Sequence, residues 1–506
     1  LCGTVFISRN NLKVVDVFVH RILLVIVCTL VLVGVQPVSM HASLLNADQS
    51  LAMHTAHRND PSTIEAVPHY RLDTLFEPES QRWRGWMQVR FRNPSPTPMT
   101  AIYVRLYANL DDFAGEAAVY RPTVNGQRAT ITYELDGYLA RINYDEPIEV
   151  GDEIELTLDF LTTTPVDAGK EAYGAFNDDG SSISMASAYP LIAEFRDGDW
   201  LRQIPDGKGD LVNAPIATYD VEVTLPLTHR VVATGNTIAY RRSVAEHTYQ
   251  IVSGLQRDFT IVATTLPHLT KVIEGTRINI YYPRKQRADA QLAMRYAAQS
   301  LEVFNQRFGQ YPYNELDFVA VDARSFYGVE YPGLILLQDR LFANHPLLER
   351  IVAHEVAHQW FYNVVGNDVQ QHAWVDESLA TYAEIIYQED VHGLLAKQIE
   401  LDDLQAQYDE LIERNRDGPI DRPMTEFTLY TFNTIAYAKG ALYVDALRTT
   451  AGDQAFFAAL KRYVATYAYQ VVDGTALRDV VQQECACDVQ PIYQRWVLAQ
   501  SDPETE

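Results

Sequence analysis

The stretch Ile351-Val-Ala-His-Glu-Val-Ala-His-Gln-Trp360 sets two imidazoles and a carboxylate at H-E-x-x-H spacing inside an apolar helical pattern. Residues four apart on a helix lie one above the other, so His354 and His358 can hold one metal ion. Glu355 then faces a water on that ion as a general base. The competing reading is a pair of core histidines satisfied by ordinary hydrogen bonds. Downstream, Trp374-Val-Asp-Glu-Ser-Leu-Ala-Thr-Tyr-Ala-Glu384 offers Glu377, with eighteen residues between it and His358. Catalytic zinc usually takes three protein ligands and keeps a fourth position open, and two His plus one Glu is a known set. One Zn2+ ion is therefore the expected cofactor, although ligand type alone admits cobalt or manganese. Asp376 competes with Glu377. The apolar positions Leu379, Ala380 and Ala383 predict a helix with Glu377 inward and Asp376 outward or towards a neighbouring partner. Glu384, seven residues after Glu377 and on about the same face, is placed to accept a hydrogen bond from a ligand imidazole; the alternative is a solvated glutamate.

Two further segments flank this pair of helices. Upstream stands Tyr327-Gly328-Val329-Glu330-Tyr331, followed by Pro332-Gly333; downstream stands Tyr437-Ala-Lys-Gly-Ala441. Together with His354-Glu355-x-x-His358 and Glu377, these segments resemble, in order and in type, the gluzincin metallopeptidases and specifically the aminopeptidase N-like family. The upstream segment is similar to that family's G-x-M-E-N strand, with Tyr327 in place of the first Gly, Val329 of Met and Tyr331 of Asn. The downstream one is similar to its Y-x-K-G-A segment. The resemblance implies a zinc aminopeptidase acting on peptides with a free N-terminus. Glu355 would be its general base and Tyr437 its oxyanion donor, with Gly328, Val329 and Glu330 binding substrate. A carboxylate at Glu330 would pair with the substrate's α-ammonium and fix the first peptide bond over the metal. If Glu330 faced elsewhere, a gluzincin endopeptidase or another zinc hydrolase would be the alternative. A non-catalytic binding or scaffold protein on the same fold is disfavoured by intact Glu355 and Tyr437. Lys439 is expected to be structural.

Positioning these groups requires a multidomain α+β chain. Alternation with a period of two runs through Met87, Val89 and Phe91, then Ile102, Val104 and Leu106, Ile154 to Phe160, and Tyr219 to Leu225. It predicts an N-terminal β-sandwich or saddle domain over residues 63–268. The segment Ser187 to Trp200 is its least regular part. From 269 to 450 the reading is a thermolysin-like catalytic domain: a helix from Ala288 to Phe308, strands at Leu316–Val321 and Gly333–Leu337, then the metal helices. Residues 451–506 form a short C-terminal helical segment. Its helices are Gln454–Ala468, capped by Asp453, and Ala476–Glu484, preceded by an Asp473-Gly-Thr turn. The brevity of this segment is similar to that of short, bacterial-type family members without a large C-terminal helical domain.

A formal net charge of −25 repels phosphate backbones and disfavours nucleic-acid binding. Ile22 to Val35 is an uninterrupted apolar run preceded by Lys13 and Arg21, which makes residues 1–42 an export signal or an N-terminal anchor. The expected location is extracytoplasmic, secreted or held to the membrane by that segment alone. Residues 43–62 read as a polar, mobile leader. Cys485 and Cys487 are spaced too tightly for an ordinary disulfide and are too few for a metal site.

Overall fold

The computed structural model describes residues 48–64, 67–113, 115–164 and 176–498. The export or anchor segment lies outside them, and among the described residues no helix is long and apolar enough to cross a membrane. The period-two stretches form strands with one buried and one wetter face. In Arg82–Arg92, Met87, Val89 and Phe91 are buried, and in Glu153–Thr163, Ile154, Leu156, Leu158 and Phe160 are. These strands belong to an eight-stranded sheet ordered Asn236–Arg242, Glu246–Val252, Thr218–Pro226, His69–Glu77, Arg82–Arg92, Glu153–Thr163, Glu116–Val124, Gln127–Arg128. His69–Glu77 pairs in parallel with Thr218–Pro226, and the other neighbours are antiparallel. Two four-stranded sheets share its apolar core, one built on Met99–Arg105 and Leu139–Ile148, the other on Ser182–Ala186 and Thr260–Thr264.

The second domain opens with β1 (His268–Ile273) and β2 (Thr276–Tyr281) and continues with β3 (Glu315–Val321), β4 (Gly328–Val329) and β5 (Leu334–Gln338). Their sheet order is β1-β2-β3-β5-β4, which leaves β4 at an edge, antiparallel to β5. Helix α1 (Arg287–Phe308) buries Ala290, Ala293, Ala297, Leu301, Phe304 and Phe308. The metal-motif helix α2 (His345–Ala357) starts at a proline, which suits a first turn, and ends at His358, whose N–H still reaches the His354 carbonyl. Helix α3 (Trp374–His392) is buried at every position from Trp374 to Gln388, with α4 (Leu394–Glu413) following it. Helices α5 (Gly440–Ala451), α6 (Asp453–Tyr467) and α7 (Ala476–Cys485) complete the helical layer.

Three expectations are corrected, and one left open is resolved. Residues 48–62 are docked rather than mobile: Met53 is 1% exposed, and the His54 N–H donates to the Pro312 carbonyl at 2.7 Å. A Cβ on Gly254 would stand 2.1 Å from the Met53 sulfur, so one thioether packed on bare backbone holds a segment that composition alone marks as loose. Of the two orientations open to Asp376, the structure shows the one towards a partner, because α3 is enclosed on all sides and has no wet face at that turn. Its Oδ1 accepts from Asn367 Nδ2 at 3.0 Å and from the Glu377 N–H at 2.9 Å. Asp453 does not cap α6: Gly452 holds the cap position, and the Asp453 carboxylate pairs with Arg448 at 2.8 Å. Cys485 and Cys487 are joined in a disulfide. Ala486 between them takes a left-handed conformation (φ 50°), which folds the chain back until the Cα atoms are 5.1 Å apart, inside the range such a bond spans.

Candidate metal and peptide site

At the end of α2, His354 Nε2 and His358 Nε2 are 3.0 Å apart. Glu377 Oε2, from the first turn of α3, lies 3.3 Å from the former and 3.4 Å from the latter. The helix N-terminus favours carboxylates such as Asp376 and Glu377. Each imidazole is oriented from behind. His358 Nδ1 sits 3.0 Å from the Phe361 carbonyl, which can only accept, so the proton is on Nδ1 and the Nε2 lone pair points into the cluster. His354 Nδ1 is 2.8 Å from Glu384 Oε1, and Glu384 is steadied by Arg350 Nε at 3.3 Å.

The donor set fits a divalent cation. Three ligand atoms of His354, His358 and Glu377 lie within 4.8 Å of one another, all on buried residues, and Glu377 Oε2 has no hydrogen-bond partner. The electrostatics also call for positive charge. Burial pulls His358 down, but Glu330 and Glu377 outweigh it and push the imidazole up to about 9. Burial pushes Glu377 up, yet the two imidazoles beside it bring it down to about 2. Two nitrogens and one oxygen are a ligand set that suits zinc.

Around this cluster stand the other predicted groups. Glu355 is 4% exposed, and its Oε2 has no partner; burial and the nearby Glu330 raise its carboxyl to about 8. Gly328 on β4 packs directly on it, since a Cβ there would lie 2.3 Å from Glu355 Oε1. Val329 is buried beside it, and Glu330 follows at 6% exposure. Tyr437 lies in a π-helical stretch, Asn433–Lys439, of the kind found at functional sites. Its phenol donates to Glu377 Oε1, and its ring stacks on His354 with centroids 5.9 Å apart. Gly440 lets this segment press on α3: a Cβ would stand 1.8 Å from Ser378 Oγ, which donates to the Ala436 carbonyl. Lys439 points away, donating to Asp417 Oδ1 at 2.9 Å and the Gly418 carbonyl at 2.8 Å.

Other groups at the site carry no motif in the sequence. Burial, and then the neighbouring Glu330, push the carboxyl of Asp210, in a loop of the β domain, well above its usual value. Gln370 holds that loop by donating to the Asp206 and Asp210 carbonyls. From the least regular segment of the β domain, Ser187 lines a cavity together with Asp210 and Glu330, its backbone left-handed (φ 47°). Its hydroxyl lies 3.4 Å from Asp258, a fully buried carboxylate. After the metal helix, Tyr362 also has positive φ (138°), a conformation that is strained for a side chain of this size. It is held by Arg257, whose Nε donates to the Tyr362 carbonyl at 2.6 Å and whose second nitrogen donates to the Gln470 carbonyl at 2.7 Å. Only Gly fits at 366 beneath that guanidinium, where a Cβ would lie 2.0 Å from Cζ.

Residues 292–496 match the description Peptidase family M1 domain. Aminopeptidase M1-B of Oryza sativa subsp. japonica is 28% identical over 251 residues, covering 46% of this chain and 28% of that protein. Endoplasmic reticulum aminopeptidase 2 of Homo sapiens is 24% identical over 227 residues, covering 42% and 24%. The chain thus spans less than a third of the length of these curated relatives. Among solved structures, the M1 zinc metallopeptidase from Deinococcus radiodurans superposes with a TM-score of 0.65 at 21% identity, covering 87% of this chain and 94% of that one. A mutant of it bound to a Tyr-Ser-Ala substrate gives 0.64 at 22% identity, covering 87% and 95%. The gluzincin, aminopeptidase N-like resemblance carried by the sequence motifs is thus the one these comparisons support: residues 292–496 match the family M1 peptidase domain, and the chain shares the two-domain fold of the solved M1 zinc metallopeptidases.

Proposed function

We propose that the protein is a zinc-dependent aminopeptidase that hydrolyses the first peptide bond of peptides with a free N-terminus. The observation that carries this reading is the position of Glu330, a buried carboxylate close enough to Glu355 and His358 to shift both. The names of the curated relatives and the tripeptide bound to the Deinococcus mutant point the same way. His354, His358 and Glu377 would hold the ion. Bound there, zinc supplies a Lewis acid for the scissile carbonyl and for a water molecule. Glu355 would accept the water's proton and pass it to the leaving amine. Tyr437 would turn its phenol from Glu377 to the developing oxyanion. Glu330 would pair with the α-ammonium, and the open edge of β4 at Gly328 and Val329 would align the peptide backbone by strand pairing. Glu384 would keep the His354 lone pair aimed at the metal.

The test is hydrolysis of fluorogenic amino-acid amides with and without a chelator, beside their N-acetylated counterparts. The reading requires activity that chelation and Glu355→Gln abolish and that N-acetylation blocks. Chelator-sensitive cleavage of the blocked substrates would make the protein an endopeptidase or another zinc hydrolase instead. The apolar run ahead of the described residues supports an extracytoplasmic location, secreted or anchored. Fractionation of cells expressing the full chain tests this, and activity retained in the cytosol would overturn it.

A further inference from the structure

A cleft of about 620 Å³ lies between the β domain and the catalytic sheet, and none of the residues lining it belongs to the metal site. In a chain with a formal net charge of −25, three guanidinium groups line it with no carboxylate partner among the described residues. Arg242 meets none, Arg230 meets only His268 Nδ1 at 3.0 Å, and Arg284 donates to the Thr265 carbonyl at 3.0 Å. Neighbouring arginines show the contrast: Arg241 pairs with Glu222 at 2.8 Å and Arg277 with Glu315 at 3.1 Å. The three unpaired arginines are exposed, whereas Asp317 on β3 is 4% exposed, so they mark the mouth of the cleft and it marks the floor. Asp317 Oδ1 accepts from Asn279 Nδ2 at 2.7 Å, while its Oδ2 is not enclosed and has no hydrogen-bond partner among the described residues. Burial, and then the charge of Glu315, push this carboxyl well above the usual carboxylate range, a penalty that a cation at Oδ2 would relieve.

Positive groups at the mouth and a negative group at the floor thus share one cleft without pairing with each other. We infer that the cleft is a second ligand site, for a molecule that carries both an ammonium and a carboxylate: a free amino acid or a short peptide, its ammonium on Asp317 and its carboxylate on the arginines. A buried carboxylate is costly until a cation meets it. A guanidinium fork holds a carboxylate by two parallel hydrogen bonds. Tyr249 and Tyr281 in the wall supply ring surface for the part of the ligand between its charges. A ligand with one charge would leave the opposite set unpaired. The volume suits a small molecule of this kind. The inference goes beyond the aminopeptidase reading and stands on the charges of the cleft alone.

The test is calorimetry on zinc-loaded Glu355→Gln protein, which leaves a peptide uncut, with L-leucine and the tripeptide L-leucylglycylglycine as ligands. The expected result is a binding event that Arg242→Gln combined with Arg284→Gln weakens at least tenfold. L-leucinamide and N-acetyl-L-leucine, each lacking one of the two charges, should bind there at least tenfold more weakly than L-leucine. Asp317→Asn should weaken the same event; if that buried variant fails to fold, the exposed arginine pair decides. Glu330→Gln separates any event at the metal site, since it should leave the event at the cleft unchanged. Tighter binding by L-leucine assigns the site to free amino acids and tighter binding by the tripeptide to short peptides, and either supports the inference. Binding that Glu330→Gln abolishes and the arginine pair leaves unmoved would overturn it, as would no binding of either ligand at millimolar concentration. Equal binding by N-acetyl-L-leucine would make the cleft an anion site, and equal binding by L-leucinamide a cation site; both would also overturn it. Failure of the fluorogenic assay would overturn the aminopeptidase reading without moving any of these outcomes.

Discussion

Gly328→Ala tests the geometry at its tightest point. The added Cβ would lie 2.3 Å from Glu355 Oε1, 2.5 Å from its Cδ and 2.6 Å from its Cγ, whereas real Cβ contacts stay beyond 3.0 Å. Glu355 has little room to yield: it is 4% exposed and belongs to the ligand helix. Either its carboxylate moves by at least the 0.7 Å separating 2.3 from 3.0 Å, or β4 moves and carries Glu330 with it. A misplacement of about 1 Å in a reacting group costs on the order of a hundredfold, or about 2.7 kcal/mol at about 1.36 kcal/mol per tenfold. The expected outcome is a loss of that order in kcat/KM with zinc content unchanged, because none of the three ligands is touched. The assay is steady-state hydrolysis of an amino-acid amide together with elemental analysis. A fall in kcat alone identifies displacement of Glu355, and a rise in KM alone identifies displacement of Glu330. Wild-type kcat and KM in a folded, zinc-loaded variant would refute the placement of Glu355 against β4.

Four further outcomes are expected. Tyr437→Phe should lower kcat by about a hundred- to a thousand-fold with KM and metal content retained; a loss below tenfold in a kinetic assay would remove Tyr437 from the chemistry. Glu384→Ala should weaken zinc binding by about 10- to 100-fold, read by competition with a chromogenic chelator, because the proton acceptor behind His354 is gone. Arg257→Met removes the bonds to the Tyr362 and Gln470 carbonyls and should destabilise the fold by roughly 3–6 kcal/mol, at about 1.5–3 kcal/mol per hydrogen bond to a charged group; unchanged urea unfolding would contradict this. The hydrogen bond at 2.6 Å to Asp421 raises His372 above its usual pKa. A raised folded-state pKa gives stability that is complete below the unfolded value and lost as pH rises through the folded one. Thermal melts across that interval should show the wild type losing stability relative to Asp421→Asn, and parallel curves would rule the pair out as the source.

How far the sequence reveals the site depends on how far apart its parts lie along the chain. His354, Glu355, His358, Glu377 and Glu384 sit on two successive helices, where spacing alone states who faces whom, and the structure brings four of them into direct contact. Tyr437 was found through its Lys439-Gly440 context, since no periodicity encodes a π-helical turn. Asp210 and Ser187 come from loops of the other domain, more than a hundred residues away, and local pattern is blind to such pairing. Pattern alone left Asp376 either outward or on a partner, because amphipathic reasoning allows for a wet face, which α3 lacks over most of its length. The strands of the β domain were legible because each presents one buried face in every second residue. The docking of residues 48–62 was not, because its partners are distant in the chain: Gly254 under Met53, Pro312 at the His54 N–H, Asn314 and Tyr469.

The stretch after α6 reaches back to the loop behind the metal ligands. Val471–Val472 pairs in parallel with Gly366–Asn367, the Tyr469 N–H meets the Val364 carbonyl, and the Tyr469 hydroxyl meets Asp60. Arg257 spans both strands from the β domain. The molecule is thus laced shut at one seam by three distant parts of the polypeptide. Trimming the chain back to α5 to obtain a minimal enzyme would unpick that seam, whereas a cut in the exposed turn around Val244 leaves it intact and is the better place to open the chain for split or permuted versions.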